Sequence, residues 1–172
     1  MDISYFPGCT LKTKGINFEK TALAVLKVLG INAIELDKWY CCGAVYSLSS
    51  DNLMNQMGAI RTLIKAKETG RDKLLTLCSM CYNTLKRAAI KISSEPDSRD
   101  KINDFMYLEE TDYNGTEVET VHMLNLLDDL GAEKIGAKIK KKVKGLKIAP
   151  YYGCLLLRPK EIAIDNTEKP GI

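Results

Sequence analysis

The chain has 172 residues, a formal net charge of +3, 45% hydrophobic and 27% charged residues, and six cysteines. This is the composition of a globular protein of one domain, or of one domain and a fragment of another, long enough to bury a core without covalent staples. The small charge gives no ground for a nucleic-acid partner, no apolar run reaches the length of a membrane span, and Met1 to Tyr5 lacks the basic and apolar regions of a signal peptide, so a cytoplasmic setting with reduced thiols is expected.

In chain order, Ile3 to Phe6 is a short β-prone run ended by Pro7-Gly8, with Cys9 just after. Phe18 to Leu29 is predicted as a helix with Phe18, Ala22, Val25, Leu26 and Leu29 on one face and Gly30 as its stop. Ala33 to Leu36 is a second strand, and Cys41-Cys42-Gly43 follows in a turn. Asp51 is placed as the cap of a helix that aligns Leu53, Met57, Ile60 and Ile64 and ends at Gly70. Lys73 to Leu77 is a third strand running into Cys78. Tyr82 to Ile92 is helical, with Leu85, Ala88, Ala89 and Ile92 on one side. Ser93 to Glu119 is polar and is expected to be an excursion from the core, partly mobile. Thr120 to Leu130 returns to helical period, a basic helix or helix end runs from Lys138 to Lys144, and Leu146 to Ala149 is a predicted fourth strand leading to Cys154. The last eight residues, from Asp165, carry no structural signal.

Strands alternating with helices predict an α/β fold with a largely parallel sheet flanked by helices. Cys9, Cys41-Cys42, Cys78 and Cys154 each come shortly after a predicted strand. In a parallel sheet such positions gather at the carboxyl edge of the strands, where ligands of these folds bind. Two adjacent cysteines point apart in extended chain, so Cys41 and Cys42 converge only if the chain turns, and Gly43 accepts a positive φ there. Soft thiolates favour iron–sulfur or zinc over hard cations. A cubane needs four thiolates and five are offered; the surplus bridges two irons, serves an open cluster, or stays free.

The spacing Cys-x31-Cys-Cys-x35-Cys-x2-Cys resembles the CCG cysteine-rich domain family, whose named member is the B subunit of heterodisulfide reductase. So do Tyr5-Phe6-Pro7-Gly8-Cys9, Cys41-Cys42-Gly43, Cys78-Ser79-Met80-Cys81-Tyr82-Asn83, Tyr151-Tyr152-Gly153-Cys154 and Leu157-Arg158-Pro159, in that family's order. The resemblance implies a non-cubane [4Fe-4S] cluster on Cys9, Cys41, Cys42, Cys78 and Cys81. It also implies a role in reducing the mixed disulfide of coenzyme M and coenzyme B, a small-molecule substrate, beside iron–sulfur and flavin-containing partner subunits. An echo of Ile3 to Cys9 in Ile148 to Cys154 makes Cys154 the opening cysteine of a second, incomplete site. The implied division is a first domain over 1–145, with 93–119 as its polar excursion, and the start of a second over 146–172.

Other assignments of the same thiols stay open. Zinc can take their place in a tetrahedral site, although Cys41-Cys42 does not match the usual pair spacing. Cys78-x2-Cys81 between a strand and a helix also fits a thiol–disulfide oxidoreductase. CCG motifs further occur in electron-transfer subunits of lactate, glycolate, glycerol-3-phosphate and succinate oxidoreductases. Trp39 and Tyr40 are placed as a packing wall, Tyr151 and Tyr152 as aromatic core, and His122, the only histidine, as structural or exposed. The lysines from 138 to 144 are expected on a solvated face. No glycine-rich phosphate loop supports ATP or NAD binding.

Overall fold

The computed structural model of the chain describes residues 1–44, 53–109, 111–141, 144–151, 153–165 and 168. Four strands form one all-parallel sheet in the order β2-β1-β3-β4: β1 (Asp2–Phe6), β2 (Asn32–Glu35), β3 (Lys73–Thr76) and β4 (Glu119–His122). Ser4 pairs with Ile34 on one side and with Leu74 on the other, and Leu75 pairs with Val121. Parallel strands need crossovers, and helices supply them. Seven helices are described: α1 (Gly8–Leu11), α2 (Ile16–Val28), α3 (Met57–Glu68), α4 (Ser79–Ser94), α5 (Pro96–Phe105), α6 (Met123–Leu130) and α7 (Ala132–Gly136).

Alternation in the strands sorts two cores. Ile3, Tyr5, Leu75 and Val121 face one side and bury Ala22 and Leu26 of α2 with Leu126 of α6. Phe6 and Leu74 face the other side with Ile60, Leu63 and Ile64 of α3 and Leu85, Ala88 and Ile92 of α4. Each buried Val, Leu, Ile or Phe among them contributes about 1.5–3 kcal/mol by leaving water. On α2 the buried positions are Glu19, Ala22 and Leu26, whereas Phe18 is 56% and Val25 40% exposed. The helical period holds: Ala22 and Leu26 are buried as expected and Leu29 is half-buried, while Phe18 and Val25 face outward and Glu19 takes a buried place. Glu19 is tolerated inside because Tyr5 O–H donates to it at 3.0 Å and Lys12 Nζ sits 3.0 Å from it.

Several elements differ from expectation. The fourth strand is Glu119–His122, at the start of the stretch with helical period, and α6 begins directly after it. Leu146 to Ala149 pairs with none of the described strands, and Ile148 is 83% exposed. A β-prone sequence becomes a strand only where a neighbouring backbone offers partners. The polar stretch 93–119 contains α5, started by Pro96 at its first turn, and sends Ile102, Met106, Tyr113 and Val118 into the core. Of the basic run, residues 138–141 and Lys144 are exposed and not helical. Asp51 and Tyr152 lie outside the described residues, and Tyr151 is 94% exposed rather than core. No helix among the described residues is long and apolar enough to cross a membrane.

Candidate thiol centre

From β1 the chain passes to β2 at one edge and then returns to place β3 on the other side of β1. The switch point therefore lies between the carboxyl ends of β1 and β3, where folds of this kind leave a crevice. Cys9 follows β1 by three residues and Cys78 follows β3 by two. Cys81 stands in the first turn of α4. Cys41 and Cys42 come six and seven residues after β2, so a loop, not a strand end, delivers them.

That loop is tied to α3. Thr62, fully buried, accepts from Tyr40 N–H at 3.1 Å and donates to Gly58 O at 2.9 Å. Gly58 leaves room for the Cys41 carbonyl where a Cβ would strike it. Gly43 turns the chain at φ +77. Gly8 performs the same service on the other side: it has φ +69, and a Cβ there would lie 2.8 Å from Cys81 Sγ. Gly58 and Thr62 belong to no cysteine spacing and so escape a reading of the sequence, although a glycine inside a helix such as Gly58 is itself a signal of close approach; Gly8 is read there only as part of the Pro7-Gly8-Cys9 motif.

The sulfurs form one connected set. Cys81 shares hydrogen bonds with Cys42 and Cys78, and Cys41 shares one with Cys9 and feels the charge of Cys42. Three sulfurs in contact cannot all ionise. The Cys81 hydrogen bond brings Cys42 down to about 7 against the opposing effect of burial. Cys78 falls to about 6 through its hydrogen bond with Cys81, with the backbone N–H groups of Cys81 and Met80 at the start of α4 adding to it. Cys81, serving both neighbours, is pushed far up and keeps its proton. Cys41 is raised despite a backbone hydrogen bond from Gly43, because burial and the charges of Cys42 and Cys9 outweigh it.

Cys42 and Cys81 are buried, Cys78 is half-buried, and Cys9 and Cys41 are exposed. The set is thus open to solvent on the Cys9–Cys41 side. Trp39 walls another side, edge-on to Phe6 at 5.5 Å with Nε1 donating to Glu35, and Arg61 lies 5.1 Å over the Tyr40 ring. Among the described residues no three His, Cys, Asp or Glu side chains stand in a ready metal-holding arrangement. A bound ion or cluster would displace the proton that the Cys81 thiol holds beside those of Cys42 and Cys78. As a donor set they suit a soft metal or an iron–sulfur group: five thiols, two already inclined to ionise near neutral pH, with no lysine or arginine among the groups that shift them.

His122 does not join them. It is buried, its Nε2 lies 3.2 Å from Leu77 O, and its Nδ1 accepts from Leu124 N–H at the start of α6. Burial lowers its pKa. Cys154, also exposed, belongs to a separate segment that packs on α4.

Residues 3–86 match the family described as CCG, cysteine-rich domain. A protein of Wolinella succinogenes named 8-methylmenaquinol:fumarate reductase membrane anchor subunit is 33% identical over 98% of this chain and 58% of its own length. A protein of Methanosarcina acetivorans, named as the B subunit of a ferredoxin/F420H2-dependent CoB-CoM heterodisulfide reductase, is 31% identical over 98% of the chain and 56% of its own length. A protein of Archaeoglobus profundus, named as similar to the heterodisulfide reductase B subunit, is 29% identical over 96% and 55%. The chain thus spans somewhat more than half the length of the curated relatives it matches.

Proposed function

We propose, from the premise that this chain carries a CCG cysteine-rich domain and is similar to heterodisulfide reductase B subunits over nearly its whole length, that it is an iron–sulfur-binding redox subunit of a multi-subunit oxidoreductase. The observation that carries the proposal is the gathering of thiols from distant parts of the chain: Cys42 and Cys81 share one buried cluster with Cys78 packed against it, and Cys9 acts on Cys41 beside them. Cys9, Cys41, Cys42, Cys78 and Cys81 are the residues that would hold the group, a [4Fe-4S] cluster of non-cubane type. When bound, such a cluster supplies one-electron transfer and an iron able to take a substrate sulfur.

The chain's own part is to bind, shield and open one side. Cys78 and Cys42 offer thiolates near neutral pH, and Cys81 gives up its proton on loading, so uptake releases protons. Trp39 and Phe6 exclude water on one flank, and the exposed Cys9 and Cys41 mark the side from which a substrate disulfide enters. The specific reading is reduction of the coenzyme M–coenzyme B mixed disulfide in a reducing cellular compartment, with iron–sulfur and flavin subunits as electron donors. On this view 1–145 form the first CCG unit and 146–172 open a second, with Cys154 as its first ligand.

A second reading has the domain pass electrons in a quinol:fumarate-type complex, and the 33% identity to the Wolinella succinogenes protein favours it. Zinc in the same thiols would make the site structural. Anaerobically reconstituted and reduced protein, titrated with the mixed disulfide and followed by electron paramagnetic resonance, separates these. A spectrum altered by the disulfide, and not by a plain oxidant of equal potential, supports the disulfide reductase. Reversible redox that is blind to the disulfide supports electron transfer, and no redox response defeats both.

A further inference from the structure

The helix that carries two of the thiols also grips the segment that carries the sixth. The two residues after Cys81 in α4 are buried, Tyr82 at 0% and Asn83 at 1% exposure. Asn83 Nδ2 donates to Leu155 O at 2.8 Å and to Arg158 O at 2.7 Å. Its Oδ1 is buried with no hydrogen-bond partner. Tyr82 O–H donates to Ile162 O at 2.8 Å and accepts from Lys86 Nζ at 3.0 Å. Tyr82, Leu156 and Ile164 form their own buried cluster, with Leu124 packed against it. The segment also closes on itself, Ile164 N–H donating to Leu156 O at 2.9 Å.

Burying an amide whose acceptor goes unmatched carries a penalty that an apolar side chain avoids. Asn83 bears it while both donors hold backbone carbonyls of one segment. Carbonyls held from a rigid helix fix the place of the segment's backbone, and Cys154 is the residue next to Leu155. We propose that Tyr82 and Asn83 are positioning residues: they seat the Cys154 segment on the first turns of α4, so that Cys154 stands at a fixed separation, on the order of 10–15 Å, from the thiols of Cys78 and Cys81. What Cys154 is held beside rests on the proposed thiol centre; the seating does not. If 146–172 open a second cysteine site, the spacing between the two sites is set by these two side chains.

The test uses the full 172-residue chain and two readouts. An anaerobic bismaleimide with a spacer of about 10 Å reports whether Cys154 and Cys78 lie within reach, the crosslinked peptides being identified by mass spectrometry. Cobalt(II)–thiolate absorption reports the thiol centre. Wild type is expected to give the Cys154–Cys78 crosslink. Tyr82→Phe and Asn83→Leu are expected to lower its yield about fivefold or more, the effect of losing a buried hydrogen bond, while the cobalt band persists. Leu156→Ser, which loosens the segment from its own side and leaves α4 intact, is expected to reproduce the loss. The proposal is overturned by a wild type that does not crosslink, or by yields in both α4 variants within about twofold of wild type. It is equally overturned if the cobalt band disappears together with the crosslink in both, which would make Tyr82 and Asn83 parts of the α4 fold only. A wild type without any cobalt band counts against the thiol centre, and the crosslink comparison still decides the positioning.

Discussion

Cys81 is the sulfur on which its neighbours depend. It keeps its proton and thereby lets Cys78 and Cys42 ionise near 6 and 7. In metal-free protein, alkylation of Cys78 is therefore expected to reach half its maximal rate near pH 6, with Cys42 following near pH 7 and Cys81 last. Cys81→Ala is expected to move both midpoints up toward the ordinary thiol range; unchanged midpoints, followed by mass spectrometry, would contradict the shared-proton arrangement. Gly8 supplies a second test at this scale. Gly8→Ala forces a Cβ to 2.8 Å from Cys81 Sγ as well as straining φ +69, whereas Gly70, at φ +71, has nothing within 4 Å of its would-be Cβ. Both substitutions cost about 1–2 kcal/mol of backbone strain, but only Gly8→Ala is expected to lower iron uptake several-fold. Equal uptake by the two variants would remove Gly8 from the site. The cysteines are legible in the sequence because spacing alone groups them. Gly58 and Thr62 are not, and Gly8 is legible as part of a motif but not in its role beside Cys81, because a small residue's role shows only once the neighbour it admits has a known place.

Among the elements, the junction of β4 and α6 is sensitive to pH. His122 ends the strand and caps the helix, Nδ1 accepting from Leu124 N–H while Nε2 carries the proton toward Leu77 O. Protonation of Nδ1 would break the cap, and burial already holds the pKa below its ordinary 6.5. The unfolded chain then binds the extra proton more readily than the folded one. Stability is full above about pH 6.5 and falls as the pH drops below it, by at most about 1.4 kcal/mol per unit for this one group. Urea denaturation of wild type and His122→Phe between pH 7 and 5 checks this: the variant is expected to lose that part of the slope, and parallel curves would refute the assignment. The same junction is hidden in the sequence because Thr120, Val121 and His122 run without a break into the amphipathic Met123–Leu130, and the helical period absorbs a four-residue strand. The stretch 93–119 misleads for the opposite reason: its composition is polar, and a few apolar side chains anchor it. Ile102 is one of them, 1% exposed. Ile102→Ala is expected to cost about 2–4 kcal/mol in urea denaturation, and a loss below about 1 kcal/mol would mean that α5 is not part of the cooperative core.

At the scale of the whole molecule, topology does what no local motif can. Putting β1 and β3 side by side places Cys9 and Cys78, 69 positions apart in the chain, shortly after the carboxyl ends of two adjacent strands. The first three strands are readable because each is a short β-prone run, β1 ended by Pro7-Gly8 and β3 leading into Cys78, and their parallel pairing follows from the intervening helices. The expected strand at Leu146–Ala149 does not form: the segment is exposed and pairs with none of the four described strands, although β2 and β4 each keep a free edge among the described residues. The claim on which everything else depends is that the five thiols together bind one iron–sulfur group. Anaerobic iron, sulfide and zinc analysis of the purified chain, with its visible spectrum, tests it most directly. The expected result is brown protein with iron and acid-labile sulfide in equal amounts, both lost when Cys42 and Cys81 are replaced by serine; colourless protein holding one zinc per chain, or no metal, would contradict it.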